Sequence, residues 1–172
     1  MLIRPEQPGD YRCVEQVVES AFRNAEKSDQ TEHLLVRNLR QTNAYLPSLS
    51  LIAQNDQGDI IGHVMLSTIT IGEGEPSLAL ALISILSDYQ GKGIGTQLMQ
   101  ESIAKAEAEG YRSIIVLGAP EFYLRYGFEK AIEWQITAPF EGAEPYLLAL
   151  ELVEGALDDV RGEVHYSKAF NL

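Results

Sequence analysis

Apolar positions divide the middle of the chain into strands and one long amphipathic helix. The runs Ile60 to Ile71, Leu78 to Leu86 and Ser113 to Leu117 predict strands, because apolar and β-branched residues dominate them. The stretch Ile94 to Glu109 carries apolar residues at helical spacing and predicts a helix. Two strands joined by a helix pair in parallel through a right-handed crossover. We therefore expect Leu78–Leu86 and Ser113–Leu117 to be parallel neighbours.

The flanking segments predict more elements of the same kinds, and the late strands are expected to be antiparallel. Turn residues, Asn55 to Asp59, join the strand before them to Ile60–Ile71 as a hairpin. Together the elements predict an α/β fold with a mixed, largely antiparallel central sheet and helices on both faces. The flanking elements are a strand at 2–4, helices after Pro8 and Thr31, strands at 49–54, 128–136 and 146–153, and one more strand in the tail 160–170.

Composition limits the classes of function. A chain of 172 residues is expected to form a single domain, with a core over about 1–153 and a C-terminal extension over 154–172. The net charge of −12 argues against binding to nucleic acid, which needs a basic face. It is compatible with attracting a cationic amine, although solubility alone accounts for it. The single cysteine, Cys13, excludes an internal disulfide, and its helical pattern with Val17 and Val18 predicts that it is buried.

The sequence suggests no membrane segment and no metal site. No stretch is apolar over a length that spans a bilayer, and no signal peptide begins the chain, so we expect a cytoplasmic protein with no membrane partner. The three histidines, His33, His63 and His165, lack the paired spacing of metal ligands. The chain also has no G-x-S-x-G segment, which excludes that nucleophilic serine arrangement.

A glycine-rich loop between the Leu78–Leu86 strand and the following helix indicates phosphate binding. Backbone N–H groups at a helix start attract anions, and glycines let a ligand approach the backbone closely. The spacing fails the Walker pattern and the G-x-G-x-x-G dinucleotide pattern. What remains is Q-x-x-G-x-G, formed by Gln90, Gly91, Lys92, Gly93, Ile94 and Gly95, with Thr96 next.

This loop, taken with a second motif, resembles the GNAT superfamily of N-acetyltransferases. The segment Phe122 to Phe128 reads F-Y-x-x-x-G-F, as in that family, and it follows the loop by one helix, one strand and one short helix. The stretches Val116–Pro120 and Leu148–Leu152, followed by Val160–Gly162, resemble the YhbS-like branch of the superfamily. Both motifs lie in the middle third of the chain, and the flanks fit by element order.

The resemblance implies an acetyl-CoA-dependent N-acetyltransferase acting on a primary amine of a small molecule or a protein. In this family the amine attacks directly in a ternary complex, and the loop Gln90–Thr96 holds the pyrophosphate of acetyl-CoA. The strand before the loop splays from its parallel neighbour, and the pantetheine arm lies in the gap. Carried over, this places the backbone of Ile83, Ile85 and Leu86 along the arm. An N–H group near Ile85 then polarises the thioester carbonyl.

The F-Y-x-x-x-G-F match implies that Tyr123 is the general acid for the leaving thiolate, with Tyr126 as the second choice and Phe122 facing the core. A phenol with a pKa of about 10 is adequate for that task. The family often has an asparagine after this strand that contacts the arm, and this chain has Gly118-Ala119-Pro120 there instead.

The sequence does not single out one residue as the general base. The Leu78–Leu86 strand, where the family often carries a glutamate, contains no acid. Glu32 opens the second helix, where related enzymes line the acceptor pocket, and a favourable charge at a helix start explains it equally well. His63 lies in mid-strand, where a histidine is more often a core residue, although it titrates in a useful range. A water chain or an amine that arrives neutral serves as well.

Two other functions compete with the acetyltransferase. The same fold could use another acyl-CoA, or the chain could be a non-catalytic CoA-binding sensor whose loop is intact without a base. The sequence leaves open a monomer or a homodimer.

Overall fold

Two long strands, β3 (Ile60–Ile71) and β4 (Glu75–Ile85), each contribute to both of the units into which the chain divides. The computed structural model describes residues 1–170. One unit contains residues 1–66 and 81–105, and the other contains residues 67–80 and the chain from 106 onwards. The prediction for Ile60–Ile71 is confirmed, and the strand predicted over 78–86 begins three residues earlier and ends one earlier.

The first unit combines strands in the order β1-β2-β3-β4 with three helices. Strands β1 and β2 are antiparallel, with Leu2 opposite Gln54. The first two helices bury apolar residues at helical spacing, among them Val14, Val17 and Val18 of α1. The new elements are β1 (Leu2–Pro5), α1 (Tyr11–Phe22), α2 (Glu32–Leu39), β2 (Tyr45–Gln54) and α3 (Ile94–Ala108), whose last three residues belong to the second unit.

The second unit continues from the other halves of β3 and β4. In it β4 is followed by β5, β8 and β6, while β9 pairs antiparallel with β3 and parallel with β7. Its buried apolar core draws on several of these strands, including Ile71, Ile115, Leu147 and Val164. The elements are β5 (Ser113–Leu117), α4 (Pro120–Tyr123), β6 (Glu129–Lys130), β7 (Ile136–Thr137), β8 (Leu147–Glu151) and β9 (Gly162–His165).

The parallel pair predicted from the crossover is confirmed. Strands β4 and β5 run parallel, and their register joins Leu78 to Ile114 and Leu80 to Val116. Beyond Leu80, β4 continues to Ile85. The pairing with β5 therefore covers only part of β4, and the end of β4 that leads into the glycine-rich loop lies outside it.

Two predictions from the sequence pattern are wrong. The segment 128–136 is not one strand, because β6 stops at Lys130 and a 3-10 helix, Ala131–Trp134, follows. That helix ends at Gln135 in a left-handed conformation with φ of 61°, which breaks any strand. Cys13 is exposed, because it lies on the solvent side of α1 beside the buried Val14.

Within residues 1–170, no helix combines the length and the apolar composition that a membrane span needs. In the same residues, no group of three or more His, Cys, Asp or Glu side chains is arranged to hold a metal ion.

Candidate functional site

The glycine-rich loop has an open backbone in front of α3. Gly91 and Gly93 adopt positive φ angles of 75° and 84°, which other residues rarely tolerate. A Cβ atom built on either glycine meets no atom of residues 1–170 within 4 Å, and both glycines are exposed. The chain then enters α3 at Ile94, where backbone N–H groups and the helix dipole favour an anion. The loop thus leaves room for a phosphate group.

Side chains around the loop fix its shape. The Gln90 amide donates a hydrogen bond to the Ile85 carbonyl oxygen at 3.0 Å, so it ties the loop to the last residue of β4. The Tyr89 hydroxyl accepts one from Asn55 Nδ2 at 3.1 Å, and the Lys92 ammonium lies 5.4 Å from the centre of the Tyr89 ring. No sequence motif links Tyr89 to Asn55, because the two residues lie in separate turns that only the fold brings together.

The end of β4 offers backbone N–H groups on the edge opposite β3. The Leu86 N–H donates to the Ile61 carbonyl oxygen at 2.9 Å, so it points toward β3. Successive N–H groups of a strand alternate between its edges, which directs those of Ile83 and Ile85 away from β3. Both residues are half-buried and lie beyond the part of β4 that pairs with β5. This geometry suits a donor to a carbonyl oxygen.

Tyr123 ends α4 and is more buried than its neighbour Phe122, the reverse of the expected arrangement. It is 8% exposed, while Phe122 is half-buried. Its ring makes edge contacts with Phe122 and Phe128, at centroid distances of 4.9 and 5.7 Å. Burial, with a smaller effect of Tyr126, raises the pKa of Tyr123 to about 12. The phenol therefore stays protonated at neutral pH, as a proton donor must.

The residue after β5 makes room for this ring. A Cβ atom at Gly118 would lie 2.5 Å from Tyr123 Cε2, so only glycine fits without a shift. The Gly118 N–H donates to the Tyr146 carbonyl oxygen at 3.0 Å, which fixes the backbone there. The glycine that stands where the family often has asparagine thus has a packing reason.

His63 is fully buried on β3, within a cluster of charged and polar side chains of the first unit. Its Nε2 lies 2.9 Å from Ser50 Oγ and 3.7 Å from Glu6 Oε1, and Nδ1 has no hydrogen-bond partner among the described residues. Burial lowers the pKa of His63 to about 4, although the charge of Glu6 acts in the opposite direction. The ring is therefore neutral at pH 7.

Glu6 holds this cluster together. Its carboxylate accepts hydrogen bonds from Arg40 Nη2 at 2.8 Å and from the Tyr45 hydroxyl at 2.7 Å. Burial opposes the charge, but the bonds from Arg40 and Tyr45 and the nearby His63 outweigh it and keep the pKa of Glu6 below its usual value. Arg40 also bonds Glu15 of α1 at 2.9 Å. No sequence motif marks this cluster, because its members come from five separate segments.

Glu32 lies in the first turn of α2 and bonds locally. Both carboxylate oxygens are 2.7 Å from the hydroxyl of Ser28, which precedes the helix. Asp29 accepts hydrogen bonds from the N–H and hydroxyl of Thr31 at the same helix start. This arrangement stabilises the start of α2, and it occupies the carboxylate that was one candidate for the base.

Comparison with protein families settles the classification. The model of the acetyltransferase (GNAT) family matches residues 14–128, a span that contains the glycine-rich loop and Tyr123. The chain belongs to the GNAT family. It is also 33% identical over 172 residues to the protein described as uncharacterized N-acetyltransferase YhbS of Escherichia coli strain K12, with 99% of each chain covered.

Two solved GNAT structures resemble the whole chain. Escherichia coli YhbS in complex with CoA has 30% sequence identity and a TM-score of 0.88, covering 99% of this chain and 92% of that one. A GNAT acetyltransferase of Brucella melitensis in complex with acetyl-CoA has 33% identity and a TM-score of 0.82, covering 98% and 97%. The mixed sheet with its parallel β4–β5 pair is therefore the acyl-CoA N-acyltransferase fold.

Proposed function

We propose that this GNAT protein is an acetyl-CoA-dependent N-acetyltransferase whose acceptor is a primary amine of a small molecule or a protein. The observation that carries the proposal is the loop at the start of α3, where Gly91 and Gly93 hold positive φ angles and leave open space at exposed positions. The relatives with CoA and acetyl-CoA bound support the same cosubstrate.

The loop holds the cosubstrate by its main chain. Backbone N–H groups at the start of α3 bind the pyrophosphate, and Gly91 and Gly93 matter for shape rather than chemistry. Lys92, placed over the Tyr89 ring, adds one positive charge near the phosphates. Gln90 acts indirectly, because its side-chain amide donates a hydrogen bond to the Ile85 carbonyl oxygen and so holds the end of β4 in place.

Acetyl transfer then proceeds by direct attack. The amine nitrogen forms a bond to the thioester carbonyl carbon while the carbonyl oxygen, now negatively charged, accepts a hydrogen bond from the Ile85 N–H. The C–S bond breaks, the nitrogen gives up a proton that ends in solvent, and the thiolate takes one from the Tyr123 hydroxyl. Tyr123 then takes a proton from solvent, which restores the phenol for the next turnover.

An activity screen tests this function. The protein is incubated with a panel of acyl-CoA thioesters and primary amines, peptides included, and acyl products are measured by mass spectrometry. We expect N-acetylated amine and free CoA to form in equal amounts. Products that carry a longer acyl group instead of acetyl would point to another acyl-CoA as cosubstrate. Binding of acetyl-CoA without any product would indicate a sensor instead.

A further inference from the structure

Two buried polar atoms at the end of the sheet near the glycine-rich loop have no hydrogen-bond partner among the residues that the structure describes. His63 Nδ1 and Ser84 Oγ make no hydrogen bond within residues 1–170, although His63 is 0% and Ser84 4% exposed. A buried polar group without a partner costs about 1–3 kcal/mol, so its persistence calls for a reason.

The strand register brings these two side chains together. The N–H of Leu86, the residue that follows β4, donates a hydrogen bond to the Ile61 carbonyl oxygen of β3, and the Ile85 side chain lies against Gly62. Following this antiparallel register by one more step places Ser84 opposite His63 on the same face of the sheet. Cβ atoms of opposite residues are about 4.5–5.5 Å apart. Rotation about the Cα–Cβ bond of Ser84 can therefore bring its hydroxyl to the imidazole.

The surroundings of His63 favour a lone pair on the unpartnered nitrogen. The Glu6 carboxylate lies on the Nε2 side, at 3.7 Å, and an anion there favours the tautomer with hydrogen on Nε2. Nε2–H then points to Ser50 Oγ at 2.9 Å, and Nδ1 is left as a proton acceptor. Arg40 and Tyr45 hold Glu6 in place by hydrogen bonds.

We propose that His63 and Ser84 accept the proton of the attacking amine, with the Ser84 hydroxyl passing the proton on to His63 Nδ1. This proposal rests on the N-acetyltransferase function argued above. As the C–N bond forms, the amine proton moves to Ser84 Oγ and the Ser84 hydroxyl proton moves to Nδ1. The Glu6 carboxylate offsets part of the cost of the buried imidazolium. The imidazolium is therefore transient, and it returns the proton to solvent by the reverse route after the product leaves.

The location of Ser84 fits this role. It stands between Ile83 and Ile85, the two residues whose N–H groups point to the edge of β4 away from β3. Residues 78–85 of β4 contain no acidic side chain, and the neighbouring strand β3 thereby supplies the base. His63 receives the proton through Ser84 rather than from the amine directly, since His63 is fully buried.

Replacing Ser84 tests the relay with a matched control. Ser67 on β3 is also buried, and its hydroxyl also lacks a partner in the described part of the chain, so Ser67→Ala removes the same group at a position outside the relay. We expect Ser84→Ala to lower kcat by about 10²-fold or more. Its Tm and its Kd for acetyl-CoA should stay at the wild-type value, and Ser67→Ala should leave all three unchanged. Ser84→Thr, which keeps a hydroxyl, should recover most of the lost kcat.

A second readout does not depend on turnover. Nitrogen NMR of ¹⁵N-histidine protein, with His63→Gln to assign the signal, should show hydrogen on Nε2 and none on Nδ1. A protonated Nδ1, or equal kcat for Ser84→Ala and Ser67→Ala in an active enzyme, overturns the relay alone. A wild-type protein that binds acetyl-CoA and acetylates no amine overturns the N-acetyltransferase function together with the relay.

Discussion

The ring of Tyr123 occupies the space beside Gly118 that any larger residue at that position would need. A Cβ atom on Gly118 would come within 2.5 Å of Tyr123 Cε2 and 3.3 Å of Cδ2. The phenol that we assign as the proton donor is thus positioned by a glycine five residues before it. Phe122 and Phe128 contact the ring at its edges.

Gly118→Ala should therefore disturb catalysis and stability together. The added methyl group must displace the Tyr123 ring, and overpacking of this kind costs about 1–3 kcal/mol. For a chain of this size that corresponds to a fall in Tm of roughly 5 °C. We expect kcat to fall with it, as measured by steady-state kinetics and thermal unfolding. Gly9→Ala is the control, because a Cβ atom there meets nothing within 4 Å in the described structure.

Tyr123→Phe should lower kcat more than it weakens acetyl-CoA binding. The change removes one hydroxyl and keeps the buried ring, so packing should survive. A general acid typically contributes about 10²–10⁴-fold, and we expect a loss in that range if thiolate departure limits the rate. Tyr126→Phe is the comparison in the same assay. If Tyr126→Phe lowers kcat and Tyr123→Phe does not, the role belongs to Tyr126.

Gly93→Glu should abolish tight binding of acetyl-CoA. The substitution places a carboxylate where the pyrophosphate is expected and forces a non-glycine residue into a φ of 84°. Gly110→Glu separates the two effects, because Gly110 has a φ of 91°, has open space and follows the other end of α3. Calorimetry should show at least a tenfold rise in Kd, about 1.4 kcal/mol, for Gly93→Glu only. Equal affinities would refute the loop assignment.

Glu32→Gln should leave kcat within about twofold of the wild-type value. The carboxylate is engaged with the Ser28 hydroxyl at the start of α2, so we assign it to helix stability. The loss of stability should be about 0.5–1 kcal/mol, and Ser28→Ala should show a similar loss. A fall in kcat by 10²-fold with stability unchanged would return Glu32 to the role of base.

Acidification should destabilise the protein through His63. The folded pKa of about 4 lies below the ordinary value of 6.5, mainly because of burial. Below pH 6.5 the unfolded chain binds a proton that the folded chain does not, so stability falls as pH drops from about 6.5 to about 4. The full loss in the free energy of unfolding is about 3 kcal/mol, because each pKa unit of difference between the folded and unfolded states corresponds to about 1.4 kcal/mol. His63→Gln should show a smaller loss over that range in urea unfolding at each pH.

Local sequence determined the loop and the strands that flank it. The positions of Gly91 and Gly93 need glycine because of their positive φ angles, and this requirement is visible in the chain itself. Likewise β3, β5 and α3 follow from apolar runs and helical spacing over contiguous residues. The parallel pairing of β4 and β5 followed from the connecting helix, because crossover connections have one hand.

Only the tertiary structure decided which side chains surround His63 and that Gly118 makes room for the Tyr123 ring. Four residues of this cluster lie 13 to 57 positions from His63 along the chain: Glu6, Arg40, Tyr45 and Ser50. The fold brings Arg40 and Tyr45 within hydrogen-bond distance of Glu6, and Ser50 within hydrogen-bond distance of His63. Burial lowers the pKa of His63, which is a property of the folded state alone. A pattern of spacing records local geometry, whereas desolvation and long-range contacts depend on the whole fold.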